Sequence, residues 1–431
     1  MLGRGGTDVG FAEDGSALLS NPAGLVQSAE AWRLETSLAL YAVDVRYSDA
    51  LQPSGERSRS RTLVPSFTLT WNPDVSAGAD EGLRFALGLL HLEGNQSSFD
   101  LSTRDFPAPL STPRDADYLH TAVHLGVAYG VSSEWSFGAT ASLTYSDLEV
   151  QEPLEIPIGS FQGMSPLGTP WGTLLLKNFG VEALRIPGTF DSDPVLGGAV
   201  TLGILWQPTE DFAAGLSLRH QVFTGTYRGP VDVDISRIFG EPDPVTFPDG
   251  FAVSYDGVLK GLDHPTTVAL GVSLRLTDSL RFGMDVRYTA WSHSHERIRM
   301  ALRNGDNPGF NAFVGRDRLD VIQELDWQDQ WSVSLGVEWE FEPGFRLRAG
   351  GFLQESPVPS SSSNPSAPAF AEAGLSVGLG YACPELQIDL AYMRVFPESQ
   401  SVGESLTSSD LDDSRTRVAT DIVLLTVTLR F

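Results

Sequence analysis

The sequence predicts an all-β protein, a transmembrane antiparallel β-barrel of about fourteen strands. Three observations predict it. Apolar and polar residues alternate with period two in fourteen separate segments. The connections between those segments alternate between short and long. Tryptophans gather at the segment ends.

The alternation is plainest in the last stretch, "VLLTVTLRF", where Val423, Leu425, Val427, Leu429 and Phe431 share one face and Thr426, Thr428 and Arg430 the other. "TAVHLGVAYGV" sets Val123, Leu125, Val127, Tyr129 and Val131 against Ala122, His124, Gly126, Ala128 and Gly130. "TVALGVSLRL" and "WSVSLGVEWEF" repeat the pattern. Such segments begin near residues 33, 61, 82, 118, 134, 195, 211, 265, 279, 329, 344, 371, 385 and 418. Successive strand side chains point to opposite faces, so each segment has one apolar face and one small or polar face.

Charges obey the same parity. In "LRFGMDVRYT", Arg281, Asp285 and Arg287 oppose Leu280, Phe282, Met284, Val286 and Tyr288. An arginine facing lipid at the midplane costs ~2–4 kcal/mol, and a one-residue slip would turn every charge outward. The register is therefore well determined.

Tight turns follow the fourth, sixth, eighth, tenth and twelfth segments ("VSSE", "QPTED", "TDS", "EPG", "CPE"), and a medium link, "NPDVSAGADEG", follows the second. The other connections are long, above all 151–194 and 227–264. Short turns at one end and long loops at the other describe an outer-membrane barrel rather than a soluble sandwich. The second face carries Gly, Ala, Ser and Thr, where a water-facing sheet tends to carry Lys and Glu. Trp32, Trp71, Trp135, Trp206 and Trp339 fall beside the proposed periplasmic end, and Trp291, Trp327 and Trp331 beside the outer loops, as interfacial girdles require. A barrel leaves no edge unpaired, so the last strand is expected to close against the first.

Composition excludes other classes. The 431 residues carry a net charge of −26 with only two lysines, Lys177 and Lys260, which argues against a nucleic-acid partner. The single cysteine, Cys383, excludes an internal disulfide and a Cys-built zinc site. No run of ~18–20 apolar residues could form a spanning helix. The start of the chain shows no charged segment followed by an apolar core, so no signal peptide is visible.

Several stretches resemble the FadL-type family of outer-membrane long-chain fatty-acid and hydrocarbon transporters. "GGTDVGFAEDGSALLSNPAGL" is similar to the family's plug, or hatch, with its Asn-Pro-Ala motif at Asn21, Pro22 and Ala23. "GILWQPTEDFAAGLSLRHQV", "HPTTVALGVSLRLTDSLRFGMDVRYTAWS" and "DQWSVSLGVEWEFEPGFRLRAGGFLQESPVP" follow in the family's order. The resemblance implies a fourteen-stranded barrel, residues 33–431, with an N-terminal hatch, residues 1–32, inside its lumen. Family members carry a signal peptide and further hatch residues, so this hatch is expected to be truncated at its start. Phe431 resembles the C-terminal aromatic that the barrel-assembly machinery reads.

Asn21 can cap a short helix while Pro22 fits its first turn, giving "PAGLV" a fixed start. A three-residue turn at 342–344 would set Glu340 opposite Arg346 and Glu338 opposite Arg348, a lumen charge ladder that either braces the wall or forms a polar gate beneath the hatch. Pro65 cannot donate to a sheet ladder. In the family, substrate leaves sideways where the third strand is kinked, and Pro65 on the second strand could border such a gap, facing "LRFALGLLHLEGN". The alternative is a proline near the strand's outer start.

No metal site is expected. In "WSHSHE", His293 and His295 would share one strand face with Glu296 on the other, so the three do not converge. His91, His120 and His124 have no spaced partners, and no nucleophile motif such as G-x-S-x-G appears. The acidic stretches "DSD" (191–193) and "DLDD" (410–413) read as solvated surface, with divalent-cation bridging to lipopolysaccharide as the functional option.

The expected function is a passive channel, without cofactor, integral to the bacterial outer membrane. A hydrophobic ligand would enter over the apolar segment within 151–194 and rest in a lumen blocked below by the hatch. A fatty-acid carboxylate needs a cation, for which Lys177, Arg287 and Arg299 are candidates. The competing readings are an aromatic-hydrocarbon channel of the same fold, a general porin, which the hatch segment speaks against, and an outer-membrane lipid hydrolase.

Overall fold

The computed structural model describes residues 1–73, 81–103, 111–236 and 250–431. Among them nineteen strands follow in order. These are β1 (Trp32–Ser48), β2 (Glu56–Trp71), β3 (Gly82–Ser102), β4 (Ser111–Gly130), β5 (Trp135–Pro157), β6 (Ala183–Asp191), β7 (Val195–Thr209), β8 (Phe212–Thr224), β9 (Tyr227–Asp234) and β10 (Ala252–Lys260). The remainder are β11 (Thr267–Thr277), β12 (Leu280–Thr289), β13 (Arg297–Arg303), β14 (Leu319–Glu324), β15 (Gln330–Glu342), β16 (Phe345–Gln354), β17 (Ala373–Ala382), β18 (Leu386–Ser401) and β19 (Arg415–Arg430). Fourteen form the wall; β6, β9, β10, β13 and β14 do not. β5 pairs with β7, β8 with β11 and β12 with β15, so each of these pairings skips the strands outside the wall.

All fourteen wall strands coincide with the alternating segments. The barrel closes through β1 and β19, paired from Arg33↔Arg430 to Ser48↔Arg415. The Phe431 and Trp32 backbones complete the seam, Phe431 N–H donating to the Trp32 carbonyl at 2.9 Å. Parity holds on the wall: Leu125, Leu143, Leu202, Leu270, Leu335 and Leu375 stand exposed on the outside, while Thr140, Thr201, Ala269 and Ser376 are buried inside. At the lower end Trp32 stacks on Trp71 and Trp135 on Trp206, with ring centroids 5.6 and 5.8 Å apart.

Three of the long connections hold what periodicity did not show: β6 lies between β5 and β7, β9 and β10 between β8 and β11, and β13 and β14 between β12 and β15. Five short strands and two helices, Trp171–Phe179 and Pro308–Val314, build a second layer over the outer rim. β6 continues the β5 pairing above the membrane band, β9 pairs with β6 and β10, and β13 with β10 and β14. The aliphatic residues of 151–194, which no wall strand explained, pack here: Ile156, Leu175, Leu184 and Ile186 join Phe310, Phe313 and Tyr255 in the largest buried apolar cluster. Strands of six to nine residues inside long loops carry too few repeats to stand out by alternation alone.

One seam of the wall is incomplete. β2 and β3 pair only from Phe67↔Leu89 to Trp71↔Phe85. Beyond that, β3 bulges against β4 between His91 and Glu93. The bulge inverts the parity of β3, with Arg84, Ala86 and Leu90 buried before it and Ser97, Phe99 and Leu101 after it.

Candidate functional site

The chain before β1 lies in the lumen as a hatch with its own small core, in which Ala12, Ala17, Leu18, Leu25 and Val26 meet Ala86, Leu90 and Ala128 of the wall. Its fixed point is Asn21. The side-chain oxygen accepts the Ala23 N–H at 3.2 Å and so caps the turn Pro22–Gln27, with Pro22 in the first position. The amide nitrogen donates to the carbonyls of Val9, at 2.8 Å, and of Ile204 on β7, at 3.1 Å. One fully buried amide thus ties two hatch segments to the wall.

The wall receives the hatch on glycine. Gly138 faces Gly203 across β5 and β7, Gly215 faces Gly271 across β8 and β11, and Gly283 faces Gly336 across β12 and β15. A Cβ at Gly138 would stand 2.3 Å from Pro22, one at Gly203 2.1 Å from Asn21, and one at Gly336 2.3 Å from Arg4. These positions are Gly because the hatch, backbone and side chains together, lies directly on them.

Carboxylates and cations then fasten it. A single Asp285 oxygen on β12 accepts the N–H groups of Asp8 and Val9 at 2.7 and 2.9 Å. Glu35 on β1 accepts the Gly15 N–H and the Thr68 hydroxyl. Arg281 donates to Glu13 at 2.6 Å. The Arg281 and Arg4 guanidiniums also lie 4.0 and 3.6 Å from the Phe11 ring centroid.

The charge ladder of β15 and β16 pairs Glu338 with Arg348 and Glu340 with Arg346, at 2.6 and 3.4 Å. The turn differs from the three-residue form: β16 begins at Phe345, directly opposite Glu342, and a bulge between Glu340 and Glu342 absorbs the extra residue. Glu338 also lies 3.7 Å from Arg4 of the hatch, and Arg348 also binds Asp389. The ladder is therefore continuous with the hatch.

Above the hatch the cationic candidates separate. Arg287 is on the lumen face of β12, opposite Ala269 and Ser332. Arg219, overlooked in the sequence, is on the lumen face of β8 between Thr201 and Thr267. Its parity with Ala213, Gly215 and Ser217 was the available signal. Neither arginine makes an ion pair with a described residue. Lys177 is exposed on the rim helix, and Arg299 is exposed on β13 of the rim.

Three expectations are corrected. His120 has a partner far along the chain: its ring stacks 3.8 Å from that of His264, which accepts or donates a hydrogen bond with Tyr118 and lies 3.6 Å from Glu93. His293 and His295 are not on a strand, because Trp291–His293 form a single turn, and His295 stacks on Trp327 at 4.6 Å. Burial there pushes the His295 imidazole down to about 4. "DLDD" is not all solvated surface, since Asp410 is 2 % exposed and ion-paired to Arg114 at 3.1 Å. Among the described residues no group of His, Cys, Asp and Glu is arranged to hold a metal ion.

Residues 4–431 match the family of outer membrane protein transport proteins (OMPP1/FadL/TodX). The chain belongs to this family. Its similarity to the long-chain fatty acid transport protein of Escherichia coli O6:H1 is 22 % identity over 409 residues, covering 91 % of this chain and 84 % of that one. The corresponding K12 protein is 22 % identical over 416 residues, covering 94 % and 87 %. Among solved structures, the toluene transporter TodX of Pseudomonas putida shares the fold with TM-score 0.76 at 18 % identity, covering 100 % of this chain and 97 % of that one. The toluene transporter TbuX of Ralstonia pickettii does so with TM-score 0.71 at 16 % identity, covering 100 % and 97 %. Like other members of the outer membrane protein transport family, the chain is an integral outer-membrane β-barrel.

Proposed function

We propose that this barrel is a passive channel for hydrophobic small molecules, with long-chain fatty acids as its ligand class. The carrying observation is the pair Arg219 and Arg287, which face the lumen above a seated hatch without ion-pair partners among the described residues. A carboxylate entering a low-dielectric lumen needs such a cation. The E. coli relatives, named long-chain fatty acid transport proteins, support the same class. Entry over the apolar rim cluster, and blockage below by the hatch, give the path its direction. Exit sideways is supported by the short β2–β3 pairing, with Pro65 two residues beyond its last pair and the β3 bulge facing it. Phe431, 68 % exposed beside the closing seam, is the residue the assembly machinery would read.

Tryptophan quenching by a long-chain fatty acid and by toluene, in detergent at fixed salt, tests the assignment. Saturable fatty-acid binding that weakens ~10–100-fold in Arg287→Ala or Arg219→Ala, and not in Lys177→Ala, supports it, since a charged hydrogen bond lost from a desolvated site is worth ~1.5–3 kcal/mol. Binding of toluene alone would replace fatty acids by aromatic hydrocarbons.

A further inference from the structure

The chain as a whole is acidic, with 55 Asp and Glu against 29 Lys and Arg. One outward face reverses that balance. On β1 and β2, Arg46, Arg57, Arg59 and Arg61 point away from the lumen; on β18 and β19, Arg394, Arg415 and Arg417 do the same. These four strands are consecutive in the wall, because β1 pairs with both β2 and β19, and β19 with β18. Only two carboxylates share the face on these four strands: Asp44, which binds Arg57 and is shared with Arg59 and Arg46 at 3.4 and 3.6 Å, and Asp421, which binds Arg394.

The register makes the crowding explicit. Arg46 is paired with Arg57 on one side and with Arg417 on the other, so three guanidiniums stand in one transverse row. Like charges directly opposite one another destabilise a sheet. Here they remain exposed, Arg46 at 56 % and Arg57 at 37 %, with Arg417 likewise open to the outside. Below the level of Arg61 and Arg394 on the same strands the outward residues turn apolar, with Leu38, Leu63, Leu390 and Leu425 exposed. Tyr392, between Arg394 and Leu390, marks the transition. The arginine row therefore lies where the hydrocarbon band ends on the long-loop side, at the level of lipid phosphate groups.

We propose that this face binds the phosphate groups of lipopolysaccharide in the outer leaflet. Arg46, Arg57 and Arg417 form the central anion cradle, with Arg59, Arg61, Arg394 and Arg415 around it. Arginine suits the task, since its planar fork meets two phosphate oxygens at once and it stays charged at any physiological pH. The acyl chains would lie on the leucine surface beneath. The acidic loops need no bridging cation for this contact.

The test uses the full chain in nanodiscs, with intact bisphosphorylated lipopolysaccharide and a dephosphorylated preparation as probes. Microscale binding should show saturable association with the phosphorylated lipid, strongly reduced for the dephosphorylated one. Each juxtamembrane charge contributes about a fivefold change in affinity, so the variant R46Q/R57Q/R417Q should bind roughly a hundredfold more weakly. Equal binding of both lipids, or undiminished binding by the variant, would overturn the proposal. So would competition by millimolar inorganic phosphate alone to the same extent, which would indicate a simple anion site. A dimer seen by light scattering that disappears in the variant, without lipid dependence, would assign the face to a second copy of the chain. If the triple variant does not insert, the comparison of the two lipids on the unaltered protein decides, together with Arg417→Gln.

Discussion

Gly203 on β7 and Asn21 in the hatch lie so close that a single added carbon on the glycine would stand 2.1 Å from the asparagine side-chain oxygen. The same asparagine donates to the backbone of the next residue on β7, Ile204. Wall and hatch are thus fitted at one point by an absent side chain and a present hydrogen bond.

Gly203→Val should unseat the hatch without opening the barrel, since the backbone ladder of β7 is untouched. The expected outcome is raised single-channel conductance in planar bilayers, with an unchanged heat-modifiable shift on gels. Retention of the closed-state conductance would show that the seat tolerates bulk. Asn21→Ala should act in the same direction and destabilise the hatch by ~1–3 kcal/mol, because the carbonyl of Val9 and the N–H of Ala23 lose their buried partner.

Asp285→Ala removes the acceptor of two buried N–H groups, at Asp8 and Val9. Each unsatisfied group costs ~1–3 kcal/mol, so limited proteolysis from the periplasmic side should cleave the hatch much faster. Asp285→Asn keeps one acceptor oxygen and should fall between the two. Equal protection of Asp285→Ala and the unaltered protein would remove Asp285 from the fastening.

Glu338 touches Arg348 on the wall and lies near Arg4 in the hatch. If the ladder gates the lower exit, Glu338→Gln should raise ligand flux in proteoliposomes by several-fold, while Glu340→Gln, itself 42 % exposed beside the turn, should not. Equal flux in both variants would leave the ladder as a wall brace only.

A bifunctional thiol linker between Pro65→Cys and His91→Cys, with Cys383→Ser, would bridge the open part of the β2–β3 seam. Ligand uptake into whole cells should fall on cross-linking and recover on reduction. Unchanged uptake would place the exit elsewhere, most directly through the base of the barrel.

His295 gives a pH dependence. Its imidazole is held down to about 4 by burial against Trp291 and Trp327. The neutral ring is the folded form, so its contribution to stability is present above the ordinary histidine pKa of about 6.5 and is lost as pH falls towards 4. Tryptophan emission should change through that window as the stacked pair separates, and His295→Phe should abolish the change. A midpoint near 6.5 would mean that the ring is solvated.

The wall was legible in the sequence because the strand period of two belongs to each segment alone. "TAVHLGVAYGV" states which residues face lipid whatever strand lies beside it, and Arg281, Asp285 and Arg287 forbid a slip. The Asn21-Pro22 cap was legible for the same local reason. Tertiary structure alone decided the rest. That Gly203 must be glycine depends on the hatch asparagine arriving from 182 residues earlier. That His120 meets His264, or that Arg46 lies between Arg57 and Arg417, depends on pairings between strands far apart in the chain. The short β2–β3 seam depends on a bulge in one strand meeting a proline in the other. Faces are set by local sterics, whereas sites are set by which faces the closed ring brings together.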